Sequence, residues 1–317
     1  MRKEFVTKVI CILLLSCITL TCFSCAANTR PVQTSRDVEK PLQTPTRNEG
    51  FNFAIFSDRT GGNQEEGTRV WRQAIAQVNQ MGPDFVYTVG YLVWGYGDRK
   101  EWLQQAEDFQ VDTQLLKVPL YPVAGNHDIY WMRDTEGRPA DHHDTDYETY
   151  FGPLWYAFEY ENCWFITLFS DEGDLTGEAK GYKDPKLQKM STEQFAWLQT
   201  TLKKAGNADH VFVFLHHPRW KGGGYGDDWN RVHQLFVDAG NVSACFAGHL
   251  HQADYQQKGG IDYYTLGTTG GVMSKNSLIG QHLFYWVNVA GDAYHIIGIP
   301  MNHTIDPKAI QETSLSK

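Results

Sequence analysis

HVFVFLHHPRW (His210–Trp220) and VSACFAGHLH (Val242–His251) each set a short β-branched and aromatic run directly before a string of polar residues able to bind metal. An apolar run of that length, closed by a polar string, reads as a buried strand. The same construction occurs three more times upstream. FNFAIF precedes SDRTGG (Ser57–Gly62), DFVYTVG leads into GYLVWGYG (Gly90–Gly97), and PLYPVAG leads into GNHD (Gly125–Asp128). Helical periods lie between them. Val70, Ala74 and Val78 recur every four residues before the stop at Gly82-Pro83, and Trp102, Ala106, Phe109, Thr113 and Leu116 mark a second helix. Ser191 and Gln194 form a capping box ahead of Phe195, Leu198 and Leu202, with Gly206 as the stop, and WNRVHQLFVDAG supplies a fourth helix. Trp155–Phe158 and Trp164–Phe169 read as a hairpin, and aromatic strands after Tyr263 finish the chain. This alternation predicts an α/β fold, and the hairpins predict mixed rather than purely parallel sheets.

The polar strings all fall at the carboxyl ends of strands, where α/β sheets bind ligands. Five of the twelve histidines sit in them. His249 and His251, two apart, would share one side of an extended segment and reach one ion or two neighbouring ones. Asn126 adds a neutral carbonyl oxygen and Asp58 a hard anionic one, and mixed N/O ligation suits Zn, Fe or Mn rather than Ca. Taken singly, an HxH or a GNHD is more often a structural turn. The ordered set, each member closing a strand, points to one shared site.

Composition bounds the remaining choices. The 317 residues are 42% hydrophobic and 14% aromatic with ten Trp, which excludes a disordered chain and predicts a large core. A net charge of −9 without a Lys/Arg-rich run makes nucleic acid a poor partner. Arg2, Lys3 and Lys8 precede the apolar run Val9–Phe23, so residues 1–24 read as an export signal. Ser24-Cys25-Ala26 resembles the end of a bacterial lipoprotein signal, which would put a lipid on Cys25 and anchor the protein in the cell envelope, in the periplasm or at the cell surface. Cys17, which follows Leu14-Leu15-Ser16, and plain cleavage near Ala26 are the alternatives. Residues 25–50, rich in Thr, Pro, Arg and Gln, read as a solvated tether, and 303–317 as a polar tail. Cys163 and Cys245 sit in apolar runs and are expected to be separate buried thiols. DHHDTD (Asp141–Asp146) reads as a solvated loop, and Gly222-Gly223-Gly224 as a mobile edge of the site.

The set GNHD, HHP and GHLH resembles the calcineurin-like metallophosphoesterase superfamily, whose pattern runs DxH, GD, GNH[DE], a lone His, then GHxH. The helix TEQFAWLQTTL is similar to one that the family places before the lone His. SDRTGG looks like a bacterial branch of that family. The resemblance spans nearly all of residues 51–302, the expected domain. It implies a four-layer sandwich of two mixed β-sheets flanked by helices, and hydrolysis of a phosphomonoester or phosphodiester with one or two divalent ions. By position, Asp58 and His251 would bind a first ion, and Asn126, His216 and His249 a second. His127 would act at the leaving oxygen as general acid or charge stabiliser, oriented by Asp128. Arg59 and Arg219 are candidate phosphate contacts.

Two positions depart from the pattern. Thr60 stands where DxH has its His, as is ordinary for the SDRTGG branch. Tyr91 stands where GD has the carboxylate that bridges both ions, and the acid expected near Trp94 in that branch is also missing. Unit charges ~4 Å apart at an effective dielectric of ~20 interact by roughly 4 kcal/mol, so two dications repel by about four times that. Without the bridging anion, Asp58 is the only anionic ligand by position. A Tyr91 phenolate would partly compensate; otherwise its ring fills the metal cavity. Two readings therefore stand: a phosphoesterase with an impaired or single-ion site, and a catalytically inactive relative that binds a phosphorylated or glycan ligand on the same fold.

Overall fold

The computed structural model describes residues 32–37, 42, 50–95, 97–129, 132, 133, 136, 139–172, 189–222, 228–275, 277 and 280–301. The expected signal 1–24, Cys25, the tail 303–317, and Gly223 and Gly224 lie outside these. The elements run β1 (Phe51–Phe56), α1 (Gln64–Met81), β2 (Phe85–Thr88), α2 (Arg99–Thr113), β3 (Leu120–Pro122), α3 (Asn126–Ile129), β4 (Met132–Arg133), β5 (Pro139–Asp141), α4 (Asp144–Tyr150), β6 (Tyr156–Tyr160) and β7 (Cys163–Thr167). They continue with α5 (Thr192–Lys204), β8 (His210–Phe214), α6 (Trp229–Ala239), β9 (Val242–Ala247), β10 (Asp254–Lys258), β11 (Ile261–Thr265), β12 (Leu283–Ala290) and β13 (Ala293–Pro300). One sheet has the order β13-β12-β1-β2-β3 and the other β10-β11-β9-β8-β7-β6, with β4-β5 a separate ribbon. β1, β2 and β3 are mutually parallel, as are β7, β8, β9 and β11. The antiparallel partners β12, β13, β6 and β10 make both sheets mixed, as expected.

The two-residue period of β1 explains the layering. Phe51, Phe53 and Ile55 face the other sheet, while Ala54 and Phe56 face α1 and α2. The inter-sheet layer is aromatic: Phe53 stacks on Phe85 at 5.2 Å, and Tyr87 lies flat on Phe214 at 3.7 Å across the gap. Each fully buried ring contributes roughly 2–3 kcal/mol by removal from water. Trp71, Trp102 and Phe109 fill the outer face of the first sheet; Leu198, Val232 and Phe236 fill that of the second. Helix ends follow local chemistry. Asn63 accepts the Glu66 N–H, Ser191 accepts the Gln194 N–H, and Gly82 turns left-handed at φ 66° to end α1. Cys163 and Cys245 are free and buried. Among the described residues no helix is long and apolar enough to cross a membrane.

Two sequence expectations need correction. DHHDTD is not a solvated loop: His142, His143 and Asp146 are buried at the start of α4, where Asp146 pairs with Arg99 at 2.6 Å. The stretch 25–50 is not solvated throughout. Gln33 exchanges two backbone hydrogen bonds with Ala157 on the edge strand β6, Thr34 donates to the Trp155 carbonyl at 2.6 Å, and Trp155 Nε1 donates to Ser35 Oγ at 3.0 Å. Arg36 lies over the Trp155 ring at 4.7 Å and meets both Glu148 oxygens at 2.7 and 2.8 Å. An unpaired sheet edge attracts any extended chain, and here the chain's own N-terminal segment takes it. Apolar periodicity misses such a strap because its contacts are backbone and polar. Arg36→Ala is expected to cost ~1 kcal/mol, a fall of about 2–4 °C in the melting temperature. A thermal scan with no fall would show that the strap is not held by this residue.

Candidate active site

The parallel strands of both sheets bring their carboxyl ends to one side of the molecule, and every polar string follows such an end. Asp58, after β1, is fully buried; its carboxylate accepts the His249 N–H at 2.9 and 3.1 Å and the Ser57 hydroxyl at 3.2 Å. Gly248 permits this approach, since a Cβ there would lie 2.8 Å from both Asp58 oxygens. After β2, Gly90 at φ 106° passes so near His216 that a Cβ would lie 2.3 Å from its Nδ1. His216, after β8, donates Nδ1–H to the Val89 carbonyl at 2.7 Å, and its Nε2 stands 3.1 Å from Asn126 Oδ1. Its nearest nitrogen is 3.7 Å from Asp58. His249 and His251, after β9, do not lie on an extended segment as expected. Both have left-handed backbones, at φ 69° and 55°, and His251 Nδ1 hydrogen-bonds the Val272 carbonyl.

Tyr91 occupies the middle. It is 5% exposed, left-handed at φ 56°, and its ring lies 4.0 Å from His127, 4.6 Å from His216, 5.3 Å from His251 and 6.2 Å from His249, centroid to centroid. Its hydroxyl is 3.2 Å from His249 Nδ1. The loop behind it is fully tied. Leu92 and Val93 N–H groups donate to Asp128 Oδ1 at 2.7 and 3.0 Å, Gly125 N–H to Asp128 Oδ2 at 2.8 Å, and Trp94 and Gly95 N–H groups to Gln105 Oε1. Thr60, buried, donates its hydroxyl to the Val93 carbonyl at 3.2 Å.

Three expected roles change with this geometry. Asp128 orients the Tyr91 loop rather than His127; the His127 ring is fixed by Nδ1–H donation to the Trp94 carbonyl at 2.7 Å. Arg59 is buried and turned inward, donating to Asp112 at 3.1 Å and the Leu92 carbonyl at 3.1 Å. Arg219 is 1% exposed and donates to the Ser170 carbonyl at 2.8 Å and Asp171 at 3.2 Å. Neither guanidinium is placed to meet a phosphate, because each neutralises a buried carboxylate instead. Sequence reasoning also passed over His217 and Asp171. Both are fully buried, and His217 Nδ1 lies 2.5 Å from Asp171 Oδ1. The signal was available: Ser170-Asp171-Glu172 is another polar string just beyond a strand, β7.

Burial drives the titration of the site. Loss of water pulls His216, His217 and His249 below the ordinary imidazole range, with neighbouring cations and imidazoles adding to it for His217 and His249. His127 falls to about 4 for the same reason, against the pull of the Trp94 carbonyl. At neutral pH these rings are neutral, as metal ligands must be. The chemistry of the donors fits an ion on one side of the site. With Nδ1–H given to Val89, His216 turns a bare Nε2 lone pair toward the Asn126 carbonyl oxygen. An imidazole nitrogen and an amide oxygen 3.1 Å apart in a buried site match two cis ligands each ~2.1 Å from one ion. One nitrogen from each of His216, His217 and His249 also lies within 4.8 Å of the others. On the other side, the Tyr91 ring lies 5.3 Å from that of His251.

The sequence pattern of the calcineurin-like phosphoesterases matches residues 51–253. The chain belongs to the calcineurin-like phosphoesterase family. Human tartrate-resistant acid phosphatase type 5 is 27% identical over 205 residues, covering 60% of this chain and 62% of that protein. The chain thus spans about 62% of the length of this relative. A dimetal phosphatase from Danio rerio superposes with a TM-score of 0.60 at 16% identity, covering 80% of this chain and 97% of the other. The purple acid phosphatase PPD1 from yellow lupin gives 0.56 at 13% identity, covering 84% and 55%. These likenesses show the shared two-sheet sandwich.

Asp128 is the group on which the site loop rests. Burial pushes its carboxyl up to about 7, against several backbone N–H donors that pull it down, Tyr91 N–H among them. In Asp128→Asn a side-chain NH₂ would face backbone donors that now meet an acceptor oxygen. At pH 8 the substitution is expected to cost about 2–3 kcal/mol in urea unfolding. A cost below ~0.5 kcal/mol would show that the loop is held by other contacts.

Proposed function

We propose that this phosphoesterase is a metal-dependent phosphoric ester hydrolase acting on a phosphomonoester or phosphodiester, with a site that favours a single divalent ion of Mn, Fe or Zn. The observation that carries the reading is the pairing of the bare His216 Nε2 with Asn126 Oδ1 at 3.1 Å. Asn126, His216 and His249 would hold the ion, and Asp58 and His251 are the remainder of a second set. A bound divalent ion supplies Lewis-acid polarisation of the phosphoryl group and a water acidified toward neutral pH. The protein's own groups set the geometry. Val89 and Val272 carbonyls fix the tautomers of His216 and His251, so each presents Nε2. His127, with Nδ1–H held by Trp94, presents Nε2 as an acceptor; it becomes a proton donor to a leaving oxygen only after a nearby phosphate charge has raised it from about 4.

Tyr91, on our reading, stands in place of the bridging carboxylate of the family. Its buried ring among four imidazoles is also the observation that favours the second reading, a non-hydrolytic relative binding a phosphorylated or glycan ligand. Hydrolysis of p-nitrophenyl phosphate and its bis-ester, after loading with Mn, Fe or Zn, separates the two. The first reading expects turnover that EDTA abolishes; no turnover with any metal supports the second. Tyr91→Asp is expected to raise ions per chain and to raise the rate at least about tenfold, ~1.4 kcal/mol of barrier. If it folds and changes neither quantity, Tyr91 is not at the bridging position.

Export with a lipid on Cys25 is part of the same proposal, supported by the Cys that closes the apolar run. Fatty-acid labelling is expected to mark the wild type and not Cys25→Ser. Label retained in the variant would move the attachment to Cys17.

A further inference from the structure

We infer that His217 joins Asn126, His216 and His249 as a further ligand of the ion, with Asp171 as the positioning carboxylate of His217. The inference rests on the metal-dependent reading above for the presence of an ion, and it assigns a ligand that the family pattern of one His at this point does not include.

The first observation is the tautomer. His216 Nδ1 faces the Val89 carbonyl at 2.7 Å, His217 Nδ1 faces Asp171 Oδ1 at 2.5 Å, and His249 Nδ1 faces the Tyr91 hydroxyl at 3.2 Å. The His216 ring can therefore give its Nδ1 proton to the Val89 carbonyl and turn Nε2 to a ligand bond, the His249 Nδ1 has the Tyr91 oxygen within reach, and the His217 ring lies against the Asp171 carboxylate. A histidine whose far nitrogen is held by a carboxylate or carbonyl is the usual arrangement behind a bound metal.

The second observation is convergence. One nitrogen from each ring lies within 4.8 Å of the other two, and the His217 and His249 rings are 3.7 Å apart. Tetrahedral nitrogens around zinc stand ~3.3 Å from each other, a difference that small side-chain rotations close. His216 and His217 are neighbours in sequence, yet both reach this point because β8 ends at Phe214 and the chain turns, leaving the two rings nearly perpendicular at 88°.

The third is the cost of the arrangement. Asp171 is fully buried and saturated: Ser170 donates to Oδ2 at 2.8 Å, and Arg219 donates to Oδ1 at 3.2 Å. Burying a carboxylate, a guanidinium and an imidazole together is commonly no more stable than an apolar filling of the same volume. A buried triad aimed at the metal-site histidines is accounted for if it orients a ligand. It also answers the loss at Tyr91. Where the family uses a carboxylate between two ions, this chain offers a third imidazole to one ion, which needs no bridging anion.

The test uses the full chain loaded with cobalt(II) or zinc. The expected result is one ion per chain by elemental analysis, with the intense visible bands of four-coordinate cobalt. His217→Gln is expected to weaken zinc binding at least tenfold in competition with a chromophoric chelator and to change those bands; Asp171→Asn is expected to weaken it by about ten- to a hundredfold. Zinc bound as tightly in His217→Gln as in the wild type would overturn the assignment. Should that variant fail to fold, weak six-coordinate cobalt bands in the wild type would overturn it equally. Phosphate-ester hydrolysis is assayed separately. Binding that depends on His217 without turnover would reject the hydrolase reading and keep this one. Turnover with zinc binding indifferent to His217 would do the reverse.

Discussion

The arrangement of the site depends on one buried carboxylate. Asp128 sits at the start of a helix of only four residues and accepts backbone N–H groups from its own turn and from the loop after β2. Those bonds join the ends of β2 and β3, two strands whose register alone would leave the loop free to swing. A backbone donor left unpaired in such a place would cost about as much as a lost hydrogen bond, so the loop has one satisfied arrangement. That arrangement drives the Tyr91 side chain between the histidines. Arg59, Thr60 and Gln105 hold the same loop from its other sides. The ring's position is thus a consequence of backbone pairing, and no ion is required to place it.

Electrostatics then narrows what the site can hold. His127, His216, His217 and His249 are all pulled down by burial, so they add no charge at neutral pH. Of the buried carboxylates nearby, Asp171 is paired with Arg219 and His217, and Asp128 is enclosed by backbone donors. Asp58 lies 3.7 Å from the His216 ring nitrogen and holds the His249 N–H. On the reading proposed above, one anion and several neutral donors would suit a single dication. Two would repel with little between them to offset it.

The fold was readable because its signals are local. β1 is a short apolar run, α1 stops at a left-handed glycine, α5 starts at a capping box, and all three appear where the apolar pattern and capping place them. The convergence of polar strings was readable for the same reason, since each follows a strand. What could not be read is the direction of individual side chains. Arg59 and Arg219 look like phosphate contacts in a string of polar residues, and only the partners Asp112 and Asp171, distant in sequence, turn them inward. The strap at residues 33–36 was hidden because a polar segment pairing with a sheet edge leaves no apolar pattern.

The backbone at the site carries the last piece of the argument. Five non-glycine residues among those described have positive φ, and Tyr91, His249 and His251 are three of them. Left-handed backbone costs a side chain roughly 1–2 kcal/mol, and three such residues persist only where the surroundings over-determine them. Here they do: the His249 N–H is held by Asp58, the His251 ring by Val272, and the Tyr91 loop by Asp128. Such strain has no use in a solvated turn. It aims side chains that an extended chain would point apart, and so His249 and His251, two residues apart, both border the same phenol. The backbones of these histidines are therefore set by folding, and what is left for an ion to adjust is the rotation of their side chains.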